Sequence, residues 1–262
     1  MQDVHCHMLP GIDDGPKRLD EALAMAQLAA SDGIRTTIAT PHAARVADTG
    51  GKEALEQQIL TFNHELQVKG IDLQVVMGTE YLLSMELLAE AKRGTPIGLN
   101  GSRYLLMEID FLQYPPYIDD AMFQLQLLGF APVLAHPERQ ATIQKQPQLL
   151  AGLVERGVLC QITGGSLLGH FGRDAKRSAE YLLKHNLVHL LASDGHTSTR
   201  NRPPVMREAM EAVERLVGEE AAHCLVVANP AAVMANSRLT LPTNRPSRRR
   251  KFSFLGGREP RS

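Results

Sequence analysis

Two histidines separated by a single residue constrain the fold of this chain more than any other feature. His5 and His7 lie in a short apolar segment with the pattern of an extended strand, so we expect Val4 and Cys6 on one face and both imidazoles on the other. Two imidazoles on one strand face are placed to chelate one cation. Because such pairs also occur by chance on surface strands, the prediction of a metal site depends on the rest of the chain.

Short apolar segments alternate with segments of helical spacing along most of the chain. The predicted strands are 3–6, 36–39, 74–79, 104–107, 131–135, 159–163 and 189–193. The predicted helices are 19–31, 52–69, 84–92, 118–128, 147–156, 174–184, 204–217 and 219–228. Regular alternation of strand and helix indicates an α/β protein with a parallel sheet covered by helices, and seven strands favour a barrel over an open sheet.

Side chains that bind metals follow the C-terminal ends of six of the seven predicted strands. In a parallel barrel these ends meet at one rim, where such folds build their active sites. Taken singly, each residue has an ordinary explanation as a loop histidine or a solvated carboxylate, but chance would scatter them. The strand-end residues are His5, His7, His42, Glu80, Glu108, His136, Asp194 and His196, and Asp13 and Asp14 follow on the loop after the first strand. We expect the other histidines to have structural roles; these are His64, His170, His185, His189 and His223.

Eight or nine ligands exceed the need of a single ion, since catalytic zinc takes three protein ligands and a water. The pattern therefore predicts two or three ions. Two cations about 3.5–4 Å apart stabilise both the attacking and the leaving oxygen of an in-line displacement, which favours phosphoester hydrolysis. Arg139, three residues after His136, is placed to bind a phosphate through its guanidinium, and Arg200 and Arg202 are further candidates.

The cysteines do not provide the nucleophile of a thiol-dependent phosphatase. That chemistry requires an arginine six residues after the cysteine, so that the guanidinium and a loop of amides surround the phosphate. The positions six residues after Cys6, Cys160 and Cys224 hold Ile12, Ser166 and Pro230. The cysteines are also odd in number and far apart, which argues against a disulfide framework and a zinc ribbon. We therefore expect buried thiols and a metal-dependent activity.

Charge is distributed unevenly along the 262 residues. Residues 241–262 hold seven cations and one anion, a charge of +6, so a net charge of −1 leaves −7 on residues 1–240. The acidic body predicts no specific binding of nucleic acid, whereas the basic tail is expected to be disordered and suited to contact an anionic membrane or a partner. No apolar run is long enough to span a bilayer and no secretory leader is evident, so we expect a cytoplasmic protein.

The motifs HCHMLPGIDDG, TPH, HPER and SDGH, together with Glu80 and Glu108, resemble those of the PHP (polymerase and histidinol phosphatase) superfamily. Within it they are most similar to the manganese-dependent protein-tyrosine phosphatases of bacterial capsular and exopolysaccharide biosynthesis. The resemblance extends from Asp3 to about Asn236. It implies a distorted seven-stranded parallel β/α barrel, the PHP fold, as the phosphatase domain of residues 1–240.

The same resemblance implies a site of up to three ions with a metal-bridging hydroxide as the nucleophile. The implied ligand groups are His5, His7, Glu80 and Asp194; Glu80, Glu108 and His136; and Asp14, His42 and His196. Arg139 and Arg202 would bind the phosphate, and Arg202 is preferred to Arg200 because it precedes proline, as in the family. The resemblance implies Mn²⁺, while imidazole and carboxylate ligands alone also suit Fe or Zn.

These observations lead to one hypothesis and leave two alternatives open. The hypothesis is metal-dependent hydrolysis of phosphotyrosine on a protein, with a tyrosine kinase that regulates capsular or exopolysaccharide synthesis as the partner. The first alternative is a PHP-type phosphatase or phosphodiesterase acting on a small molecule such as histidinol phosphate. The second is a non-enzymatic, metal-stabilised regulatory module that is recruited through its basic tail.

Overall fold

The strands of this protein form two parallel sheets. The structure is a computed structural model that describes residues 1–199 and 202–240. Its strands are β1 (Gln2–Cys6), β2 (Thr36–Ala39), β3 (Gln74–Met77), β4 (Glu80–Leu82), β5 (Tyr104–Glu108), β6 (Ala131–Ala135), β7 (Leu159–Thr163) and β8 (Leu190–Ala192). One sheet has the order β1-β2-β3 and the other the order β4-β5-β6-β7-β8, and all pairs are parallel. The predicted α/β class is confirmed.

The two sheets are linked at two places, as in a distorted β/α barrel. Parallel bridges join Cys6 to Gly195 and His42 to Glu80. The sequence predicted one strand over 74–79, whereas the structure ends β3 at Met77 and begins a further, unpredicted strand, β4, at Glu80; β3 pairs with β2 and β4 pairs with β5. Gly78 lies at this change of partner, and a Cβ there would approach Ile38 Cγ2 to 2.7 Å. The described chain therefore has eight strands in place of the seven expected.

Helices follow the strands on the outside of the sheets. They are α1 (Leu19–Asp32), α2 (Ala43–Asp48), α3 (Gly51–Val68), α4 (Met85–Arg93), α5 (Ile118–Leu127), α6 (Ala141–Lys145), α7 (Gln148–Glu155), α8 (Gly164–Leu168), α9 (Gly172–Lys184), α10 (Arg207–Val217), α11 (Glu219–His223) and α12 (Asn229–Met234). The predicted helix 219–228 is α11 followed by a π-helical segment, Cys224–Ala228. The sequence missed α2, α6, α8 and α12 because five or six residues are too few to show a helical period.

Buried apolar side chains form two clusters, and strand alternation divides residues between them. In β5, Tyr104 and Leu106 belong to the smaller cluster, whereas Leu105 and Met107 belong to the larger one. Both sheets contribute to the smaller cluster, so it fills the space that they enclose. Its buried members are Val4, Ile38, Leu99, Tyr104, Leu106, Val133, Ala135, Leu190, Ala192 and Val233. The larger cluster packs the outer faces of the strands against the helices.

The first strand departs from simple alternation. The sequence predicted that Val4 and Cys6 share a face, and this is wrong, because Val4 packs in the smaller cluster and Cys6 in the larger. The pairing of β1 with β2 shifts register between Asp3 and Cys6. An extra residue in one strand of a pair exchanges its faces and re-aims the side chains that follow. This shift, between Asp3 and Cys6, overlaps the segment that holds His5 and His7.

The expectations for cysteines and tail have different outcomes. Cys6 and Cys160 are buried free thiols, as predicted, and Cys224 is a partly buried one. Among the described helices, none is both long and apolar enough to cross a bilayer. Residues 241–262 lie outside the described residues, so the basic tail and the domain boundary at residue 240 stay predictions.

His189 has the structural role that the sequence predicted for it. Its ring is buried at the start of β8, and the backbone N–H of Cys160 donates a hydrogen bond to His189 Nδ1 at 3.1 Å. Burial lowers the pKa of His189 from 6.5 to about 4, because the charged imidazolium would lose its hydration.

This shift predicts how stability depends on pH. Between pH 6.5 and 4 the unfolded chain binds a proton on His189 that the folded chain does not, so the free energy of unfolding falls as the pH falls. The expected contribution is a loss of about 2 kcal/mol between pH 8 and pH 5. Urea unfolding at both pH values should show a smaller loss in His189→Asn, which keeps an acceptor for Cys160. An exposed histidine on α3 serves as the control, and the prediction fails if His189→Asn and His64→Asn show the same loss as the unmodified protein.

Candidate metal centre

The structure brings all nine predicted ligands together at the C-terminal ends of the strands. Each has a ligand-type atom within 3.6 Å of that of another member. The nine residues are His5, His7, Asp14, His42, Glu80, Glu108, His136, Asp194 and His196. Beside Asp14 and His42 a cleft of about 500 Å³ opens to the surface. Ions and a substrate can therefore reach the cluster from that side.

The innermost group contains His5 of β1, His7, which directly follows β1, and Glu80. His5 Nε2 and His7 Nε2 lie 3.2 Å apart, and each is 3.3 Å from one carboxylate oxygen of Glu80. All three side chains are buried. Two imidazole nitrogens and a carboxylate that converge in this way form a donor set suited to Mn, Fe or Zn.

Three groups have ligand atoms that all lie within 4.8 Å of one another. They are His5, His7 and Glu80; His42, Glu80 and Glu108; and His7, Asp14, His42 and His196. Their membership differs from that of the implied groups, because His42 stands with Glu80 and Glu108, His7 also joins the third group, and neither His136 nor Asp194 belongs to any of the three. His136 Nε2 nevertheless lies 3.0 Å from Glu80 and 3.9 Å from Glu108. The assignment of each residue to a particular ion stays a prediction.

Two residues orient the histidines of the innermost group. His5 Nδ1 lies 2.9 Å from Gln161 Oε1, and His7 Nδ1 lies 2.6 Å from Asp13 Oδ2. Since these oxygens are acceptors, each Nδ1 carries a proton, and with a cation in the cluster each Nε2 would present its lone pair to it. This tautomer is the one that ligates a metal, and partners that fix it strengthen metal binding.

The sequence did not assign these orienting residues to the site. A neutral amide such as that of Gln161 is not among the residue types that predict a metal site. Its direction was nevertheless predictable, because it follows Leu159 at the two-residue spacing that directs side chains into the enclosed space. Asp13 was expected with Asp14 on the loop beside the histidine pair, but its role in orienting His7 was not predicted. A third residue, Asp3, was missed as well: it is buried, and it accepts hydrogen bonds from the backbone N–H and the hydroxyl of Ser193. Burial raises the pKa of Asp3 to about 6 despite those hydrogen bonds.

The backbone is strained at two of the site residues. Five described residues other than glycine have a positive φ, and three of them are asparagines, which tolerate it. The other two are His136, with φ of 36°, and Asp194, with φ of 53°. His136 directly follows β6, and Asp194 is the second residue after β8. The left-handed conformation changes the direction that alternation would give each side chain. Strain of this kind is concentrated at functional sites.

Two carboxylates of the cluster, Glu80 and Asp14, are held ionised by surrounding imidazoles, whereas the pKa of Glu108 is shifted in the opposite direction. Burial alone would raise the pKa of Glu80, but the charge of His5 and the hydrogen bond from His136 hold it well below its usual range. Hydrogen bonds from His196 and His42 hold the pKa of Asp14 well below its usual range. Burial raises the pKa of Glu108, and the charge of Glu80 adds to that shift.

Neighbouring carboxylates raise the pKa of the His7 imidazole. Burial would lower its pKa, but hydrogen bonds with Asp13 and Glu80 outweigh burial and raise the pKa to about 10. The cluster thus favours positive charge at its centre, which in the polypeptide alone is supplied by a proton on imidazole. A divalent cation would meet the same demand, so the donor set fits a metal.

Both candidate phosphate-binding arginines contact one carboxylate. Arg139 Nη1 donates to Asp194 Oδ2 at 2.9 Å, and Arg202 Nη2 donates to Asp194 Oδ1 at 2.7 Å. Asp194 Oδ1 also lies 3.5 Å from His5 Nε2. The rim therefore combines the ligand cluster with two guanidinium groups. Arg200, the other candidate, lies outside the described residues.

Comparison of the sequence with known proteins identifies similar chains. The family model described as "Capsular polysaccharide synthesis, CpsB/CapC" matches residues 1–235. The chain is 36% identical over 256 residues to the tyrosine-protein phosphatase YwqE of Bacillus subtilis (strain 168), a match that covers 97% of this chain and 100% of YwqE. It is 28% identical over 241 residues to the tyrosine-protein phosphatase CpsB of Streptococcus agalactiae serotype III (strain NEM316), covering 90% of this chain and 99% of CpsB.

Comparison of the structure agrees with these matches. One similar chain belongs to the crystal structures of YwqE from Bacillus subtilis and CpsB from Streptococcus pneumoniae, which are described as unique metal-dependent tyrosine phosphatases. Its TM-score is 0.85 at 34% identity, and the match covers 94% of this chain and 100% of that chain. The lactonase Lmo2620 from Listeria monocytogenes, with a TM-score of 0.55 at 12% identity over 92% of this chain and 95% of that chain, shares the fold alone.

The contact between His7 and Asp13 predicts the effect of removing the carboxylate. In Asp13→Ala the imidazole loses the acceptor that fixes its Nδ1 proton, so Mn²⁺ should bind about 10- to 100-fold more weakly. Calorimetric titration of the metal-free protein with Mn²⁺ measures this change. Asp48→Ala, which removes an exposed carboxylate of α2, is the matched control and should keep the affinity of the unmodified protein. Equal affinities in all three proteins would refute the orienting role of Asp13.

Proposed function

The chain belongs to the CpsB/CapC family of capsular polysaccharide synthesis, and from this premise we propose that it is a metal-dependent protein-tyrosine phosphatase. The observation that carries this proposal is the convergence of buried imidazoles and carboxylates with two arginines at one rim. The names of its relatives YwqE and CpsB, both tyrosine-protein phosphatases, supply the substrate class.

The ligand cluster would hold two or three divalent ions. We propose Mn²⁺, while the same imidazole and carboxylate donors also suit Fe or Zn. Bound ions would lower the pKa of water and neutralise charge on the phosphoryl oxygens. The residues proposed as ligands are His5, His7, Asp14, His42, Glu80, Glu108, His136, Asp194 and His196.

The arginines are proposed to bind the phosphoryl group of the substrate. The side chains of Arg139 and Arg202 are 15% and 25% exposed, so each guanidinium is largely enclosed yet open to the rim. Asp194 holds both in place before a substrate arrives, which reduces the reorganisation that binding would otherwise require. Planar guanidinium groups match the geometry of phosphate oxygens, so two of them can orient the phosphoester for attack.

A thiol mechanism is not supported by the surroundings of the cysteines. Cys6 and Cys160 are fully buried, and burial raises the pKa of both thiols well above the usual value. A protonated, enclosed thiol is a poor nucleophile. Hydrolysis is therefore assigned to the metal cluster.

The alternatives raised by the sequence receive less support. A non-enzymatic module has no need of the two partly open arginines beside a complete ligand cluster. A small-molecule phosphatase would share the cluster, but the relatives that align over nearly their whole length are named for tyrosine-protein phosphatase activity. We propose a tyrosine kinase of polysaccharide synthesis as the physiological partner. The unpaired cysteines fit a reducing compartment, and we propose that the reaction takes place in the cytoplasm.

The proposed activity can be tested with a phosphotyrosine peptide. We expect hydrolysis by the Mn²⁺-loaded protein, loss of activity on chelation and recovery when Mn²⁺ is returned. Arg202→Ala should lower kcat/KM by about 100-fold, because it removes a charge that stabilises the transition state. Cys160→Ser should retain activity. Robust hydrolysis of histidinol phosphate or of a phosphodiester, with none of phosphotyrosine, would show that the substrate class is wrong.

We propose that residues 241–262 recruit the enzyme and take no part in catalysis, because their charge of +6 suits an anionic surface. A chain that ends at residue 240 should hydrolyse a soluble phosphotyrosine peptide at the unmodified rate. It should also sediment less with vesicles that contain phosphatidylserine. A marked loss of turnover on the soluble peptide would show that the tail contributes to the active site.

A further inference from the structure

The guanidinium of Arg139 lies between two aromatic rings. Its central carbon is 4.5 Å from the centroid of the Phe111 ring and 4.1 Å from that of the Phe171 ring. Both distances are in the range of favourable cation–π contacts. The arginine is therefore fixed by the carboxylate of Asp194 at one nitrogen and by an aromatic ring on each side.

The two rings have different surroundings. Phe111 is 37% exposed, and its centroid lies 5.4 Å from that of His136, so the ring reaches from the ligand cluster to the open rim. Phe171 precedes α9 and packs on Gly165, where a Cβ would lie 3.0 Å from Phe171 Cε2. Phe111 thus presents an open aromatic surface beside the site, whereas Phe171 is half-buried and lines, with Arg202, a cleft of only about 10 Å³, which is too small for a phenyl ring.

The position of Phe111 is set by its backbone. Its carbonyl oxygen accepts a hydrogen bond of 2.8 Å from the backbone N–H of Ala141, at the start of α6. The two residues that flank Phe111 are bonded to each other, because the backbone N–H of Leu112 donates a hydrogen bond of 2.8 Å to Asp110 Oδ1. An aromatic side chain on a backbone held in this way can bind a ring with little loss of conformational entropy.

We propose that Phe111 is the specificity-determining residue for aromatic phosphoesters, through contact with the phenyl ring of phosphotyrosine. The inference rests on the proposed function. In phosphotyrosine a single oxygen joins the ring to phosphorus, so a phosphate bound by Arg139 places the ring close to that guanidinium. Phe111 is the exposed ring that contacts Arg139 there. Phe171 acts as a positioning residue that holds Arg139 for any phosphate.

Two phosphonates that the enzyme cannot hydrolyse separate ring binding from phosphate binding. Calorimetry with the Mn²⁺-loaded protein should show that phenylphosphonate binds more tightly than methylphosphonate. Because Phe111 also contacts Arg139, Phe111→Leu should weaken methylphosphonate somewhat, as Phe171→Leu does, and should weaken phenylphosphonate by about two- to tenfold more, the worth of an aromatic pair. Phe111→Met is a second variant of similar volume with the same expected result. Phe111→Tyr, which keeps an aromatic ring, should retain the preference for phenylphosphonate over methylphosphonate.

Phe171→Leu is the matched control, because it removes the other ring that contacts Arg139. It should weaken both phosphonates by the same factor and leave their ratio unchanged. The inference is overturned if the unmodified protein binds both phosphonates equally, or if the Phe111 variants weaken both to the same extent. Failure of the proposed function is a separate result, namely no hydrolysis of a phosphotyrosine peptide by the unmodified protein, whatever its affinity for phenylphosphonate.

Discussion

The carboxylate of Glu80 is the group on which the rest of the site depends. One of its oxygens lies 3.3 Å from His5 and 3.0 Å from His136, and the other lies 3.3 Å from His7 and 3.3 Å from His42. A buried carboxylate in contact with four imidazoles is stable only when its charge is compensated. The C-terminal ends of β1, β2, β3 and β6 must therefore meet near one point, with Glu80 at the start of β4 just after β3, and the parallel arrangement of the strands provides that meeting.

The same strands separate an apolar interior from this polar rim. Ile38, Leu106 and Val133 fill the enclosed space at the level of the strands, and residues further along point to the ligand cluster. Inward alternation continues from Leu106 to Glu108 in β5 and from Leu159 to Gln161 in β7. The packed interior therefore supports the cluster from below, and rigid strands fix ligand positions better than mobile loops would.

Much of this arrangement could be predicted from the sequence, because strand ends are visible as the points where apolar segments stop. The location of His5, Glu80, His136 and Asp194 at one rim follows from parallel pairing. The remainder depends on local geometry that the residue types do not encode. A register shift in β1 overrides alternation, and a change of partner at Gly78 is followed by a short strand, β4, that the sequence did not predict. Gln161 takes part through an amide that metal-ligand patterns do not include.

The left-handed backbone at His136 and Asp194 has a consequence for how this fold can evolve. Each such residue costs of the order of 1–3 kcal/mol, which the surrounding structure must offset. Glycine at either position would remove this cost, but it would also leave Glu80 without His136 or the two arginines without Asp194, so it would stabilise a descendant only where those partners had been replaced as well. Retention of both residues in an active enzyme is a stability–activity trade-off, because the backbone conformation that shapes the site lowers the free energy of unfolding.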